Sequence, residues 1–196
     1  MSFDINKQNI SKYIDKKIYL FDSGVFARSE EISSACKVDF IDVFNELPAE
    51  YFFVSNEVVV EIANGPRHLN YGYFMHHILN SEGAMDSSWK ENRFLIEEAG
   101  EIRYVVLNKI SNVDYGQVTL AQNHKELTLV SNDRKLLKSA AQIIPGRVLG
   151  MPVLIERLSE KYPQNKKLKV INTAVKKIYE LKNPFSHFER KVKEKS

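Results

Sequence analysis

The stretch IYLFDSG, residues 18–24, decides the fold class because it joins a short apolar run to an abrupt polar end. Its four apolar residues follow a charged segment, and a run of this length with polar flanks is typical of a buried β-strand. Asp22 comes directly after this run and is followed by Ser23 and Gly24. We therefore predict a buried strand that presents an aspartate at its C-terminal end.

Similar units recur along the chain, each an apolar strand followed by a helix-capping residue and a helix. The run YFFV (51–54) leads into Ser-Asn and a helix over 57–63, which Asn-Gly-Pro ends. The run LTLV (127–130) leads into Ser-Asn-Asp and a helix over 134–141. The remaining predicted elements are a strand at 102–107, a helix at 113–124, and a last strand at either 147–149 or 153–155.

Strands that alternate with helices imply right-handed crossovers and a parallel sheet covered on both faces. The predicted fold class is α/β, an α/β/α sandwich with a central parallel sheet in residues 1–155. In such sheets, ligands bind outside the carboxyl ends of the strands. The predicted functional edge of the sheet is therefore the one at which Asp22 stands.

Two segments are predicted to lie outside the sheet. Residues 65–100 lack a strand pattern and are predicted to form a helical insertion beside the site. Residues 156–196 are predicted to form a basic C-terminal helical extension, with an amphipathic helix over 166–182 after a linker at 162–165. Residues 155–196 carry 12 basic and 5 acidic side chains, a net charge of +7, whereas the other 154 residues sum to −4. These lysines could bind an RNA backbone or simply face water, and the sequence does not decide between the two.

Composition excludes several classes of protein. The chain has 196 residues, of which 43% are hydrophobic and 27% charged, so a disordered or fibrous protein is excluded and one folded domain with an appendage is expected. No stretch is apolar enough to span a membrane and the start lacks a signal-peptide pattern, so we expect a cytoplasmic protein with no membrane association. The lone Cys36 excludes an internal disulfide framework and a cysteine-rich zinc site.

Four carboxylates are the candidate chemical groups: Asp22, Glu61, Asp114 and Asp133 stand at strand ends or on the helices near them. If they converge, their like charges raise one another's pKa, and a divalent cation would relieve the repulsion. A pocket of oxygen ligands without histidine or cysteine prefers a hard ion, Mg²⁺ or Mn²⁺. Such an ion can polarise a phosphodiester and activate water, so phosphodiester hydrolysis is the predicted chemistry.

Four segments in order resemble the PIN-domain nucleases: IYLFDS (18–23), VSNEVVVEI (54–62), DYGQVTLA (114–121) and LVSNDRKL (129–136). The resemblance spans residues 16 to 155. It implies a parallel sheet sandwiched by helices and an acidic pocket that binds Mg²⁺ or Mn²⁺ and cleaves RNA. It further implies a toxin of a toxin–antitoxin pair, with an antitoxin as partner, or a nuclease that works with an RNA-processing partner.

The resemblance also assigns roles. Asp22, Asp114 and Asp133 match the acids expected to hold the metal, directly or through water, and Glu61 matches the helical glutamate that would hold or deprotonate the attacking water. Glu57 lies one helical turn before Glu61 and could substitute for it. The supporting residues are Ser131, which matches the small hydroxyl residue before the last acid, and Asn132 and Ser23, which could steady a carboxylate or a phosphate.

Other residues are candidates for holding the substrate. The nucleic-acid-binding candidates are Arg28, Arg134 and Lys135, which could hold phosphates that the carboxylates repel. The aromatic side chains in 71–74 and Trp89 could stack unpaired bases, although core or dimer contacts are the usual role of such residues. A homodimer is the commonest oligomeric default.

Three rival interpretations have distinct signatures. A haloacid-dehalogenase-type phosphatase also begins with a strand that ends in Asp, but its chemistry needs a second aspartate two residues later, where this chain has Gly24. A catalytically inactive PIN-like module that binds RNA or a protein would bind no divalent ion. A structure-specific DNA nuclease has similar acids, and the length of the 65–100 segment keeps this alternative open.

Overall fold

The computed structural model describes residues 17–64, 78–79, 93–98, 100–107 and 110–182. Within these ranges the main chain forms seven strands and seven helices. The strands are β1 Lys17–Phe21, β2 Glu50–Ser55, β3 Ile78–Leu79, β4 Arg93–Glu98, β5 Glu101–Val106, β6 Leu127–Ser131 and β7 Val148–Gly150. The helices are α1 Ser23–Cys36, α2 Phe40–Asn45, α3 Asn56–Asn64, α4 Asn112–Asn123, α5 Arg134–Ile143, α6 Met151–Lys161 and α7 Lys166–Lys182.

Five strands form a central sheet in the order β3-β2-β1-β6-β7, and all of its neighbouring strands run parallel. The order reverses at β1, which pairs with β2 on one side and with β6 on the other. Loops that leave β1 and β6 therefore diverge to opposite faces and open a crevice at the carboxyl ends of these two strands.

Alternating side chains of the strands build two cores, one on each face of the sheet. Tyr19 and Phe21 of β1 pack in the first core with α1, α2, α3, α6 and α7. Ile18 and Leu20 of the same strand pack in the second core with α4, α5 and part of β4. A sheet with helices on both faces is an α/β/α sandwich, so the predicted fold class is confirmed at this level.

Strands β4 and β5 form a separate antiparallel hairpin, and Gly100 in its turn has a φ of +83°. Phe94 anchors the hairpin, because its ring centroid lies 4.3 Å from that of Tyr115 on α4. The prediction that 102–107 belongs to the parallel sheet is therefore wrong. The helical prediction for 65–100 is also wrong for its described parts. Ile78–Leu79 is a strand that pairs with β2, and Arg93–Glu98 is a strand that pairs with β5.

The C-terminal elements pack on the sandwich rather than apart from it. The predicted boundary between residues 155 and 156 falls inside α6. Leu158 of α6 and Leu168, Ile171 and Val175 of α7 are buried in the first core together with β1 and β2. The amphipathic helix predicted over 166–182 is confirmed as α7, and the last strand is Val148–Gly150, with 153–155 inside α6. None of the helices in the described part of the chain is long and apolar enough to cross a membrane.

Candidate active site

A cavity of about 610 Å³ opens at the carboxyl ends of β1 and β6. It lies where the strand order reverses, as expected for an open α/β sheet. Its described lining residues come from the loops after β1 and β6 and from α1, α3 and the start of α4: they are Asp22, Ser23, Gly24, Ala27, Arg28, Glu31, Glu61, Ser111, Asp114, Asn132 and Asp133. All four predicted catalytic carboxylates therefore border the same cavity.

Asp22 is buried, with 6% of its surface exposed, and its neighbours hold its carboxylate with neutral donors. Its Oδ2 accepts a hydrogen bond from Ser131 Oγ at 2.7 Å, and its Oδ1 accepts weaker ones from Gln117 Nε2 at 3.4 Å and Ser23 Oγ at 3.5 Å. Asp22 is also the N-cap residue of α1, but its side chain makes no capping hydrogen bond. The carboxylate is thus oriented by side chains around the cavity rather than by the helix that it precedes.

Ser131 connects the two strand ends that flank the crevice. Its hydroxyl donates to Asp22 and accepts from the backbone N–H of Asp133 at 3.0 Å. Asp133 is exposed and caps α5, since its Oδ1 accepts from the backbone N–H groups of Lys135 and Leu136 at 2.7 and 3.4 Å. One carboxylate oxygen of Asp133 therefore holds the helix start, while the side chain as a whole borders the cavity.

Asp114 stands in the first turn of α4, where it forms a capping box with Ser111. Its Oδ2 accepts from the Ser111 N–H at 3.2 Å, and its own N–H donates to Ser111 Oγ at 3.1 Å. Burial raises the pKa of the Asp114 carboxyl, and the negative charges of Asp22 and Asp133 raise it further, although the hydrogen bonds from Ser111 oppose the rise. Asp114 is therefore near enough to Asp22 and to Asp133 for their negative charges to oppose its ionisation.

Glu61 and Glu57 differ in their relation to the cavity. Glu61 is exposed near the end of α3 and borders the cavity. Glu57 lies one turn earlier on the same helix and is not among the described residues that line it. The position of Glu61 at an open rim suits a carboxylate that contacts water, whereas one carboxylate oxygen of Glu57 is buried.

Arg28 is the one basic residue among the described residues that line the cavity. It forms an ion pair with Glu31 on the next turn of α1, and its guanidinium lies 5.5 Å from the ring centroid of Tyr179 on α7. These two contacts hold a cation beside the carboxylates. Arg134 and Lys135, the other predicted nucleic-acid contacts, are exposed at the start of α5 and do not line the cavity.

The donor set suits a hard divalent cation, but the carboxylates do not form a closed ligand group. Among the described lining residues, five carry a carboxylate, namely Asp22, Glu31, Glu61, Asp114 and Asp133, and one carries a positive charge, Arg28. All of these donors are oxygens, which Mg²⁺ and Mn²⁺ prefer. Over the described ranges, no three His, Cys, Asp or Glu side chains converge closely enough to hold a metal ion as they stand. Ion binding would therefore need the carboxylates to move closer together.

Sequence reasoning missed three residues of this site. Gln117 lies one turn after Asp114 on α4, and this spacing was the only available signal for its approach to Asp22. Glu31 follows Arg28 by three residues, a spacing equally common on solvated helices. Tyr179 contacts Asn132, which lies 47 residues earlier in the chain, and no local sequence pattern predicts such a contact.

Several sequence-based candidates lie outside the described residues. These are the proposed base-stacking aromatics Tyr71, Tyr73, Phe74 and Trp89, and the end of the basic extension after residue 182.

Comparison with known proteins finds no matching protein-family model, no significantly similar curated protein and no significantly similar solved structure. The resemblance to PIN-domain nucleases therefore stays a prediction from the four sequence segments. The class defined here is that of an α/β/α sandwich with an acidic cavity at the reversal point of its parallel sheet.

Proposed function

We propose that this protein is a metal-dependent nuclease that hydrolyses RNA phosphodiester bonds. One observation carries the proposal: Asp22, Glu61, Asp114 and Asp133, which lie far apart in sequence, border one cavity at the carboxyl ends of β1 and β6. Carboxylates used only as helix caps or surface charges have no reason to gather at one cavity. Burial raises the pKa of Asp114, and the negative charges of Asp22 and Asp133 add to the rise. We infer that these carboxylates are kept together for function, although their proximity lowers the free energy of unfolding.

The residues that would hold a Mg²⁺ or Mn²⁺ ion are Asp22, Asp114 and Asp133. When bound, such an ion polarises a phosphodiester and lowers the pKa of coordinated water. Glu61 holds the attacking water and accepts its proton as the water oxygen bonds to phosphorus. The bond from phosphorus to the leaving ribose oxygen breaks, and this oxygen takes a proton from solvent at the open cavity. Ser131 and Gln117 keep the buried carboxylate of Asp22 oriented during this step.

Arg28 gives the site its affinity for a phosphate. A net negative cavity repels RNA, so the guanidinium that Glu31 and the Tyr179 ring hold at its rim supplies the opposing attraction. Ser23 and Asn132 border the same space and offer neutral polar groups beside the phosphate. Arg134 and Lys135 extend the basic surface beyond the cavity, where they would contact the RNA backbone.

The proposed function is tested by cleavage of end-labelled RNA and single-stranded DNA pools in Mn²⁺, Mg²⁺ or EDTA. Asp22→Asn keeps the shape of the side chain and removes its charge, and we expect it to lose metal-dependent RNA cleavage at least 100-fold. The matched control is Asp39→Asn, because Asp39 caps α2 outside the described lining of the cavity and Asn caps helices equally well. We expect the control to retain wild-type activity.

Each other outcome contradicts the proposal in a specific way. Cleavage of DNA in preference to RNA would favour a structure-specific DNA nuclease. RNA binding without cleavage and without ion binding would favour an inactive binding module. Equal cleavage by wild type and Asp22→Asn would assign the activity to a contaminant.

The proposed biological setting is that of a toxin with an antitoxin partner or of a nuclease with an RNA-processing partner. This part of the proposal rests on the four PIN-like segments alone. Growth arrest of a host that expresses the wild-type chain, but not of one that expresses Asp22→Asn, would favour the toxin.

A further inference from the structure

Tyr179 of the C-terminal helix α7 contacts residues of the candidate active site. The phenol of Tyr179 donates a hydrogen bond to Asn132 Oδ1, and its ring lies beneath the Arg28 guanidinium. Tyr179 is half-buried, and the preceding turns of α7 are anchored in the first core by Ile171 and Val175. The helix therefore holds the phenol at a fixed place beside the cavity.

Asn132 passes this contact on to the opposite side of the crevice. Its Nδ2 donates to the backbone carbonyl of Gly24 at 3.1 Å and also contacts Met151 Sδ at 3.6 Å. Because the carbonyl needs a donor and the phenol supplies one, the two partners fix which end of the amide faces which side. Asn132 thus joins the connection after β6 to the first turn of α1.

The two joined places adjoin the metal-ligand candidates Asp22 and Asp133. Gly24 lies two residues after Asp22, and Asn132 lies directly before Asp133. A Cβ at Gly24 would lie 3.3 Å from Asp22 Oδ2. The hydrogen bond from Asn132 therefore reaches the backbone at a point that lies close to the Asp22 carboxylate. The hydrogen-bonded series Tyr179, Asn132 and Gly24 therefore spans the crevice beside the two aspartates.

We propose that Tyr179 is a positioning residue, which acts through Asn132 to set the separation of the loops that carry Asp22 and Asp133. The inference rests on the proposed function for its catalytic meaning. It makes α7 a part of the active site, in contrast to an appendage that only adds positive charge. Deletion of the Tyr179 hydroxyl should loosen the loops and weaken ion binding while the ring stays beneath Arg28.

Tyr162→Phe is the matched control. Tyr162 lies just before α7, and its hydroxyl donates to Glu50 Oε1 at 3.1 Å at the start of β2, the end of the sheet away from the cavity. Both variants remove one phenol hydroxyl from the C-terminal region. Only Tyr179→Phe removes one that contacts a residue of the cavity.

The first measurement is calorimetric titration of the full chain with MnCl₂, together with steady-state cleavage of RNA. We expect Tyr179→Phe to weaken Mn²⁺ binding about fivefold, as the loss of one hydrogen bond predicts, and to lower kcat with little change in KM for RNA. Tyr162→Phe should match the wild type in both. Equal Mn²⁺ affinity for wild type and Tyr179→Phe, or equal losses in the two variants, would overturn the inference and leave the proposed function standing.

The second measurement uses the metal-free protein and separates the two proposals. We expect backbone hydrogen exchange at residues 22–24 and 131–133 to be at least threefold faster in Tyr179→Phe than in Tyr162→Phe. If the wild type binds no Mn²⁺, the proposed function fails, and the exchange rates alone test whether Tyr179 positions the two segments through Asn132. Unchanged exchange at these two loops would overturn it.

Discussion

Ser131→Ala should destabilise the protein more than a serine-to-alanine change at any purely local hydrogen bond. Its hydroxyl is fully buried, donates to the Asp22 carboxylate at 2.7 Å and accepts from the Asp133 N–H at 3.0 Å. A hydrogen bond to a charged group contributes about 1.5–3 kcal/mol, and the orphaned N–H adds up to about 1 kcal/mol. We therefore expect Ser131→Ala to lower the free energy of unfolding by about 2–4 kcal/mol.

The control is Ser29→Ala on α1. Ser29 is also buried, but its hydroxyl donates only to the Phe26 carbonyl one turn earlier, at 2.7 Å. Loss of such a neutral bond costs about 1 kcal/mol. Urea denaturation followed by tyrosine and tryptophan fluorescence measures both variants, with an unchanged m-value as the condition for comparing them. If Ser131→Ala costs no more than Ser29→Ala, the reasoning that Ser131 holds a buried charge is refuted.

Three further predictions concern the single residues Arg147, Asp114 and Gly24. Arg147→Ala should cost about 2–3 kcal/mol in the same urea assay, because the guanidinium donates to three backbone carbonyls around the end of α4; a loss below about 0.5 kcal/mol would contradict this. Burial raises the pKa of Asp114 in the folded protein, so its ionisation lowers the stability as the pH rises above about 4. Asp114→Asn should therefore be more stable than wild type at pH 7, and this advantage should disappear below pH 4. Melting curves at pH 3.5 and pH 7 test the sign. Gly24→Ala should lower Mn²⁺ affinity in a MnCl₂ titration, since the new methyl group would press on the Asp22 carboxylate at 3.3 Å; an unchanged affinity would show that the carboxylate moves freely.

Three strands of the central sheet, β1, β2 and β6, were predictable because they are mostly buried apolar runs that end at polar residues. The strand β7 has three residues and ends at Gly150, and the sequence left its position open between 147–149 and 153–155. The strand β3 was missed since it pairs over only two residues, Ile78 and Leu79. So short an element has no periodicity to detect.

The β4–β5 hairpin was misread for a different reason. Its apolar residues do not mark one buried face: Phe94 is buried, but Leu95, Ile102 and Tyr104 are about half to two-thirds exposed. The strand predicted at 102–107 is confirmed as β5, although it pairs with β4 and not with the parallel sheet. Strand β4 was predicted as helix, because apolar side chains on both of its faces remove the alternation that separates a strand from a helix. The hairpin is held on the sandwich by contacts with α4: Phe94 packs on Tyr115, and the Tyr115 hydroxyl donates to the Arg93 carbonyl at 2.9 Å. These contacts join residues more than 20 positions apart, so no local sequence pattern predicts them.

The contrast between the two N-cap aspartates shows why the site was easier to predict than its support. Asp133 uses its carboxylate to cap α5, whereas Asp22 leaves the start of α1 without a side-chain cap. Capping of this kind contributes about 1 kcal/mol, so the orientation of Asp22 toward Ser131 and Gln117 gives up stability that the same residue could have supplied. A strand that ends in Asp is visible in the sequence, but the choice between capping a helix and facing a cavity is made by side chains from β6 and α4. Those partners lie about 100 residues away, and only the order of the strands brings them to the carboxylate.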